Sequence, residues 1–324
     1  MARAMMQESF ARHGGRLSDA MRAWPDAPRP WLDLSTGINP VAWAPPAGLV
    51  VDDGPLPDVA ALAGLEAAAA RHFGVPADHV VAVPGSEIAL RLLPMLGLPG
   101  PIAAMVPSYG THVAVADAVM ARGDLAAVRE GTVLIANPNN PDGVVVPAAD
   151  LLRLGSVVVD EAFADVTPEI GVLPDWNRHA PLVVLRSFGK FFGLAGVRLG
   201  FVVAAGDVLA RLRALLGDWP VSAQAIAWGT AAYSDTAWIA ATRARLVRDA
   251  ARLDALLARY GLEASGDSPL FRLVMSSDAR VMFERLARAG ILTRPFAGQP
   301  DWLRFGLPGN EAAFQRLERA LAGG

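Results

Sequence analysis

Cysteine is absent from the 324-residue chain, which excludes disulfides, cysteine-ligated zinc and thiol catalysis. An excess of one charge is lacking as well. The balance is 29 − 32 = −3, so neither nucleic acid nor an anionic membrane is an expected partner. No apolar run approaches the roughly 18 residues of a membrane helix. Met1 to Gly15 has no apolar core of the kind a signal peptide carries, and a cytoplasmic protein is expected. There is no His-Glu-x-x-His, and His72 and His79 stand seven apart across a helix end, so no metal is expected.

Lysine is nearly absent too. Lys190 is the sole lysine, and the other 28 basic residues are arginine. A coding bias toward Arg and Ala accounts for the general pattern. Arginine can replace lysine as a surface charge, but not where a deprotonated amine must attack a carbonyl, because the guanidinium keeps its proton at neutral pH. The one retained lysine is therefore a candidate for covalent chemistry.

What is present is ample core material: 53% hydrophobic and 19% charged residues rule out a disordered chain. Residues 1–57 are rich in Pro, Trp and Gly and read as an N-terminal arm. A helix follows, with Asp58 as cap, Leu62, Leu65 and Ala69 at helical spacing and Gly74 as stop. Strands are expected at His79–Val83, Pro101–Val106, Thr132–Ala136, Val157–Asp160, Leu182–Arg186 and Arg198–Val203. Helices are expected between them at Ser86–Leu96, Thr111–Ala121 and Ala148–Leu154. This alternation predicts an α/β fold, a mostly parallel, helix-covered sheet over 58–206. Residues 207–324 read as a helical connection and a smaller C-terminal α+β domain.

Chemistry-bearing residues follow the strands. Ser187-Phe188-Gly189-Lys190 leads into a Gly-rich loop, and Arg198 comes eight residues after the lysine. Two chemistries suit it: an aldehyde cofactor held by Lys190, with Ser187 and Arg198 on its phosphate, or the Ser-x-x-Lys nucleophile of penicillin-recognising hydrolases. The second also wants a Lys-Thr-Gly element, which this chain cannot supply. Three valines, Val157 to Val159, end in Asp160-Glu161. An acid there is either a helix cap or a carboxylate that keeps a pyridine nitrogen protonated. Asn137-Pro138-Asn139-Asn140-Pro141-Asp142-Gly143 is a turn by composition, and at a strand end an Asn amide can also donate to a phenolate oxygen. Pro84-Gly85-Ser86-Glu87 opens a helix, where free N–H groups suit a phosphate. Pro107-Ser108-Tyr109-Gly110 brings one of three tyrosines to where its face could stack on a ring.

Taken in order, these motifs with Val-Asp-Glu-Ala-Phe and Gly-Val-Arg-Leu-Gly-Phe resemble the fold type I pyridoxal phosphate family, over nearly the whole chain. The nearer resemblance is to its branch of histidinol-phosphate aminotransferases and threonine-phosphate decarboxylases. It implies a homodimer with pyridoxal 5'-phosphate as cofactor. Lys190 would carry the cofactor and Asp160 would pair with its ring nitrogen, these two being the catalytic residues. Asn140 would bond the ring oxygen and face substrate, and Tyr109 would stack. Gly85, Ser86, Glu87, Ser187 and Arg198 would surround the phosphate.

Arg12-His13-Gly14-Gly15 and Leu32-Asp33-Leu34-Ser35-Thr36-Gly37-Ile38-Asn39-Pro40 are similar to the start of the decarboxylases. That likeness implies substrate contacts from His13, Gly14 and Gly37. Phe163 and Leu56 stand where the aminotransferases usually carry tyrosine. In the C-terminal part Arg294 and Arg304 fall near strand ends; each is surface charge or a grip on an anion. By resemblance Arg304 would hold the substrate carboxylate and Arg294 its phosphate. The activity implied is decarboxylation of L-threonine O-3-phosphate to (R)-1-amino-2-propanol O-2-phosphate in cobalamin synthesis, with transamination of histidinol phosphate or a related phosphorylated amine as the alternative.

Overall fold

The computed structural model describes residues 10–177 and 181–323. In chain order its strands are β1 (Leu32–Asp33), β2 (Val80–Val83), β3 (Ile102–Val106), β4 (Ala118–Ala121), β5 (Thr132–Ala136), β6 (Val157–Asp160) and β7 (Leu182–Ser187). They continue with β8 (Gly200–Ala204), β9 (Ala264–Ser265), β10 (Phe271–Met275), β11 (Ile291–Leu292), β12 (Arg294–Phe296) and β13 (Gln299–Gly306). The chain forms two compact units. One comprises Ala42–Asn140 and Val144–Arg243; the other comprises the described part of Met1–Val41, Pro141–Gly143 and Ala244–Gly324.

The first unit is built on a seven-stranded sheet of order β2-β8-β7-β6-β5-β3-β4. Strands β7, β6, β5, β3 and β4 are parallel to one another. Strand β8 is antiparallel to both of its neighbours, β2 and β7. Consequently β2 runs with β7, and the carboxyl ends of β2, β3, β5, β6 and β7 share one edge with the start of β8. Strands β2, β5, β6 and β8 are buried along their whole length, which explains why they are mostly apolar on both faces. The helix Val59–Phe73 begins at Asp58, whose carboxylate accepts from Ala61 N, and ends at Gly74 with φ 72°.

The helix expected at Ser86–Leu96 spans Ser86–Leu92, the one expected at Ala148–Leu154 spans Ala148–Leu151, and a third gives way to a strand. Thr111–Ala121 reads as a single helix, yet the helix spans Gly110–Val115 and the chain then becomes the edge strand β4. Asp117 is the reason. Its N–H donates to Ile102 O at 2.8 Å, and its carboxylate accepts from Ile102 N at 2.8 Å. These two bonds dock the chain beside β3 and leave no room for another helical turn.

The second unit has an antiparallel sheet of order β12-β13-β10-β9 and a two-stranded parallel sheet, β1-β11. Of the stretch read as an arm, residues 10–41 belong to this unit, with Leu17–Ala23 a helix and Leu32–Asp33 a strand, while 42–57 belong to the first unit. Phe10, Trp24 and Phe283 pack with ring centroids 5.5–5.8 Å apart. Arg316 donates to Pro28 O, Ala289 O and Gly290 O at 2.9–3.1 Å. Gly290 is required there, because a Cβ would lie 2.2 Å from Pro28 O.

Candidate active site

In the first unit the shared strand edge surrounds a cavity of about 240 Å³. The reversal of β8 shapes one side of it. Gly200 pairs with Val83 on one side and with Ser187 on the other, so the segment Arg198–Gly200 enters between two loops that follow strands. The approach is close: a Cβ on Gly200 would lie 2.6 Å from Ser86 N, and one on Gly85 2.7 Å from Arg198 Nη2. Gly85 also has φ 85°, which favours glycine. The start of the helix Ser86–Leu92, Ser187 and the guanidinium of Arg198 thus line one end of the cavity. Backbone N–H groups and a fixed cation suit an anion.

At another part of the lining is a carboxylate. Asp160 closes β6 and is 7% exposed. Its Oδ1 accepts from Ala162 N at 3.1 Å, and its Oδ2 lies 3.1 Å from Nε2 of the fully buried His112. Ser108 Oγ is 2.7 Å from His112 Nδ1. An ionised carboxylate only accepts, so Nε2 carries a proton toward Asp160. His112 is not among the residues expected at the site. Its local sign is a hydroxyl four residues ahead, Ser108, in the loop between β3 and the helix Gly110–Val115.

Tyr109 and Asn140 complete the polar lining. Burial, and then the neighbouring Glu87 carboxylate, push the Tyr109 phenol above its ordinary pKa. Glu87 itself is held by Thr111 Oγ1 at 3.0 Å and Arg91 Nε at 2.9 Å. Asn139 is buried and donates to Pro107 O at 2.9 Å. That bond ties the loop after β5 to the loop after β3 and sets Asn140 at the cavity.

Lys190 reaches the cavity from a short aromatic helix, Phe188–Phe191. Phe188 stacks on Phe192 at 4.6 Å, and Phe192 stacks on Trp238 at 5.5 Å. Gly189 presses on the chain ahead of Arg198, where a Cβ would lie 2.5 Å from Ala195 Cα. The half-buried Lys190 therefore sits on a rigid base, with Nζ 5.8 Å from the centroid of the Phe163 ring.

Beneath these loops lies a charged cluster that the sequence reading did not single out. Arg186, next to Ser187, donates to Glu161 at 2.7 Å and to Asp165. His72 Nε2 is 3.3 Å from Asp165, and Arg243 donates to Asp165 O at 2.8 Å. Burial opposes ionisation of Asp165, but Arg186 and His72 outweigh it and hold the carboxyl well below its ordinary range. Burial wins at Glu161, which is raised despite Arg186. The pairs clamp the end of β7 to the residues that follow Asp160.

The remaining substrate-binding candidates lie in the second unit. Arg294 and Arg304 are cross-strand partners on β12 and β13, and both are buried. Burial, and then repulsion from Arg294, pull Arg304 down to about 9. Arg294 Nη2 donates to Arg12 O at 2.7 Å, and Arg304 Nη2 to Ser35 O at 3.1 Å. His13 is exposed, Gly14 packs directly on Ser35, and Gly37 is buried. The structure thus gathers the nine cofactor candidates around one cavity and brings Gly14 and both arginines to the segments around Ser35.

Pyridoxal phosphate fits the cavity. The lining offers an anion pocket at Gly85, Ser86 and Arg198, a buried acid for a ring nitrogen at Asp160, and at Lys190 an amine facing the Phe163 ring.

The family model for class I and II aminotransferases matches residues 55–321. A threonine-phosphate decarboxylase from a Sinorhizobium species is 39% identical, covering 96% of this chain and 97% of that protein. One from Pseudomonas aeruginosa is 40% identical with the same coverage. Among solved structures, a histidinol-phosphate aminotransferase from Sinorhizobium meliloti in complex with pyridoxal-5'-phosphate superposes with a TM-score of 0.78 at 21% identity, covering 94% of this chain and 93% of that one.

Proposed function

The chain belongs to the family of class I and II aminotransferases, and from that premise we infer that it is a pyridoxal-phosphate-dependent carboxy-lyase. It converts L-threonine O-3-phosphate to CO₂ and (R)-1-amino-2-propanol O-2-phosphate, a reaction that belongs to cobalamin synthesis. The two threonine-phosphate decarboxylases, about 40% identical over nearly the full length, support the substrate and the reaction. The observation of this structure that carries the reading is the Arg294–Arg304 pair. Two buried guanidiniums facing one another repel, and a ligand with two anionic groups relieves that repulsion. Threonine phosphate carries a carboxylate and a phosphate; histidinol phosphate carries only the phosphate.

When bound, pyridoxal phosphate supplies an aldehyde that captures the substrate amine and a protonated ring that withdraws electrons from Cα. In this proposal Lys190 holds the cofactor through Nζ, and the same nitrogen, once displaced by substrate, carries the proton that returns to Cα. Asp160, oriented by His112, keeps the ring nitrogen protonated. Gly85, Ser86, Glu87 through its backbone, Ser187 and Arg198 hold the cofactor phosphate. Tyr109 stacks, and Asn140 donates to the ring oxygen and faces substrate. Arg304 grips the substrate carboxylate and Arg294 its phosphate, with His13, Gly14 and Gly37 closing around them. The direct test is product analysis with threonine phosphate as the sole substrate.

A homodimer is part of the same proposal. Val50, Leu56, Val59 and Trp219 expose 86%, 65%, 73% and 48% of their surface in the first unit, and a second copy of the chain is the proposed cover. Sedimentation checks this: a dimer that Trp219→Glu weakens supports it, and a monomeric wild type contradicts it. Among the described residues no helix is long and apolar enough to cross a membrane. We place the enzyme in the cytoplasm, where a doubly anionic substrate need not cross a bilayer.

A further inference from the structure

Ser35 joins three segments of the second unit. It is 2% exposed. Its N–H and its hydroxyl both meet Asp33 Oδ1, at 2.9 and 2.6 Å. Gly15 N donates to Ser35 Oγ at 2.8 Å. Arg304 Nη2 donates to Ser35 O at 3.1 Å. Gly14 lies so near that a Cβ on it would fall 2.2 Å from Ser35 O. The directions of these bonds are fixed by chemistry. A carboxylate only accepts, so the hydroxyl proton points at Asp33 and the Gly15 N–H meets an oxygen lone pair.

The other arginine closes the circuit. Arg294 holds Arg12 O at 2.7 Å and stands opposite Arg304 across the β12–β13 pair. The turn Arg12–Gly15 is thus tied to one arginine by a carbonyl and to the other through Ser35. Each guanidinium donates to a backbone oxygen of these segments, which fixes the orientation of its fork. Loss of the serine hydroxyl would cut the second of these ties and leave the Gly15 N–H and the Asp33 carboxylate without this partner.

We propose that Ser35 is a positioning residue that sets the spacing between the Arg12–Gly15 turn and the Arg294–Arg304 pair, and thereby the fit of a phosphorylated amino acid. The inference rests on the substrate reading given above. Asp33 is the second member of the latch, because it fixes the rotation of the hydroxyl. Neither residue touches the cofactor cavity, so the latch acts on substrate affinity and not on cofactor retention.

The test uses the cofactor-loaded enzyme and four variants: Ser35→Ala, Asp33→Ala, Asp33→Asn and the double alanine. Binding of threonine phosphate is measured by calorimetry, alongside CO₂ release, thermal midpoint and cofactor affinity. Ser35→Ala is expected to weaken binding and raise KM by roughly tenfold, with kcat within about threefold of wild type and cofactor affinity unchanged. Asp33→Ala should match it. The double variant should be no worse than either single one, since both break one latch. Asp33→Asn should stay near wild type, because its amide oxygen still accepts from Ser35. If Ser35→Ala does not fold, Asp33→Ala and its Asn counterpart carry the same comparison. A folded Ser35→Ala with unchanged affinity overturns the proposal. So do additive losses in the double variant, or a shift in thermal midpoint without a shift in KM. Wild type that binds threonine phosphate but releases no CO₂ overturns the substrate reading alone; wild type that does not bind it overturns both.

Discussion

His112 Nε2 lies 3.1 Å from Asp160 Oδ2, and no part of that imidazole is exposed. The acid at the end of β6 is therefore held in one rotation by a residue from the helix after β3, and Ser108 fixes the far side of the ring at 2.7 Å. Removing Asp160 should abolish most turnover while the fold survives. Asp160→Glu keeps the charge but displaces it, with a loss of about 100-fold. His112→Phe should cost about 10- to 100-fold in kcat, the range seen when the group orienting an active carboxylate or ligand is lost. Steady-state kinetics with circular dichroism as a folding control checks all three. Near-normal turnover in Asp160→Ala would assign the role to another acid.

The sole lysine makes cofactor attachment testable on one residue. Borohydride reduction of the loaded enzyme should fix the cofactor to the peptide containing Lys190 and to no other. Lys190→Ala should lose the yellow colour of the wild type. An unmodified Lys190 peptide from a reduced, cofactor-containing enzyme would contradict covalent attachment.

The paired arginines predict a pH limit on substrate binding. With Arg304 pulled down to about 9, the free enzyme loses that positive charge as pH rises through this value. Below it Arg304 is protonated and binds; above it carboxylate affinity falls, by about tenfold per pH unit. Ethanolamine phosphate shares the amine and phosphate but has no carboxylate, so its affinity should fall less steeply. Arg294→Ala should weaken threonine phosphate by about 1.5–3 kcal/mol, roughly 10- to 150-fold, and threonine far less. Equal effects on the two would remove the phosphate assignment from Arg294.

The Arg186 cluster predicts a stability effect with no change of substrate preference. Arg186 is 3% exposed and pairs with Glu161 and Asp165. Arg186→Met takes the guanidinium from two buried acids, of which Asp165 keeps His72, and should cost about 3–5 kcal/mol. Urea unfolding measures this, and a midpoint equal to wild type would show that the pairs contribute little.

The legible parts of this protein were those encoded locally. Ser187, Lys190 and Arg198 fall within one loop, and the helix Val59–Phe73 carries its own start and stop in Asp58 and Gly74. Strand β4 was not legible: its Ala118–Ala121 residues are mostly exposed, and only the bonds from Asp117 to Ile102 turn that stretch out of a helix. Arg186 hid at the end of an apolar strand, although a charge there beside the double acid Asp160-Glu161 was a usable sign. Ser35 lay within a quoted motif, but its partners Gly15 and Arg304 are 20 and 269 residues away. Sequence spacing does not report such long-range bonds.

The central claim is that the substrate loses its carboxylate and keeps its nitrogen. The most direct measurement is incubation of the purified, cofactor-loaded enzyme with L-threonine O-3-phosphate and no keto acid, following CO₂ and the phosphorylated product. The account predicts one CO₂ per substrate consumed, with 1-amino-2-propanol phosphate as product and no effect of added 2-oxoglutarate. Turnover that requires 2-oxoglutarate, forms glutamate and releases no CO₂ would contradict it.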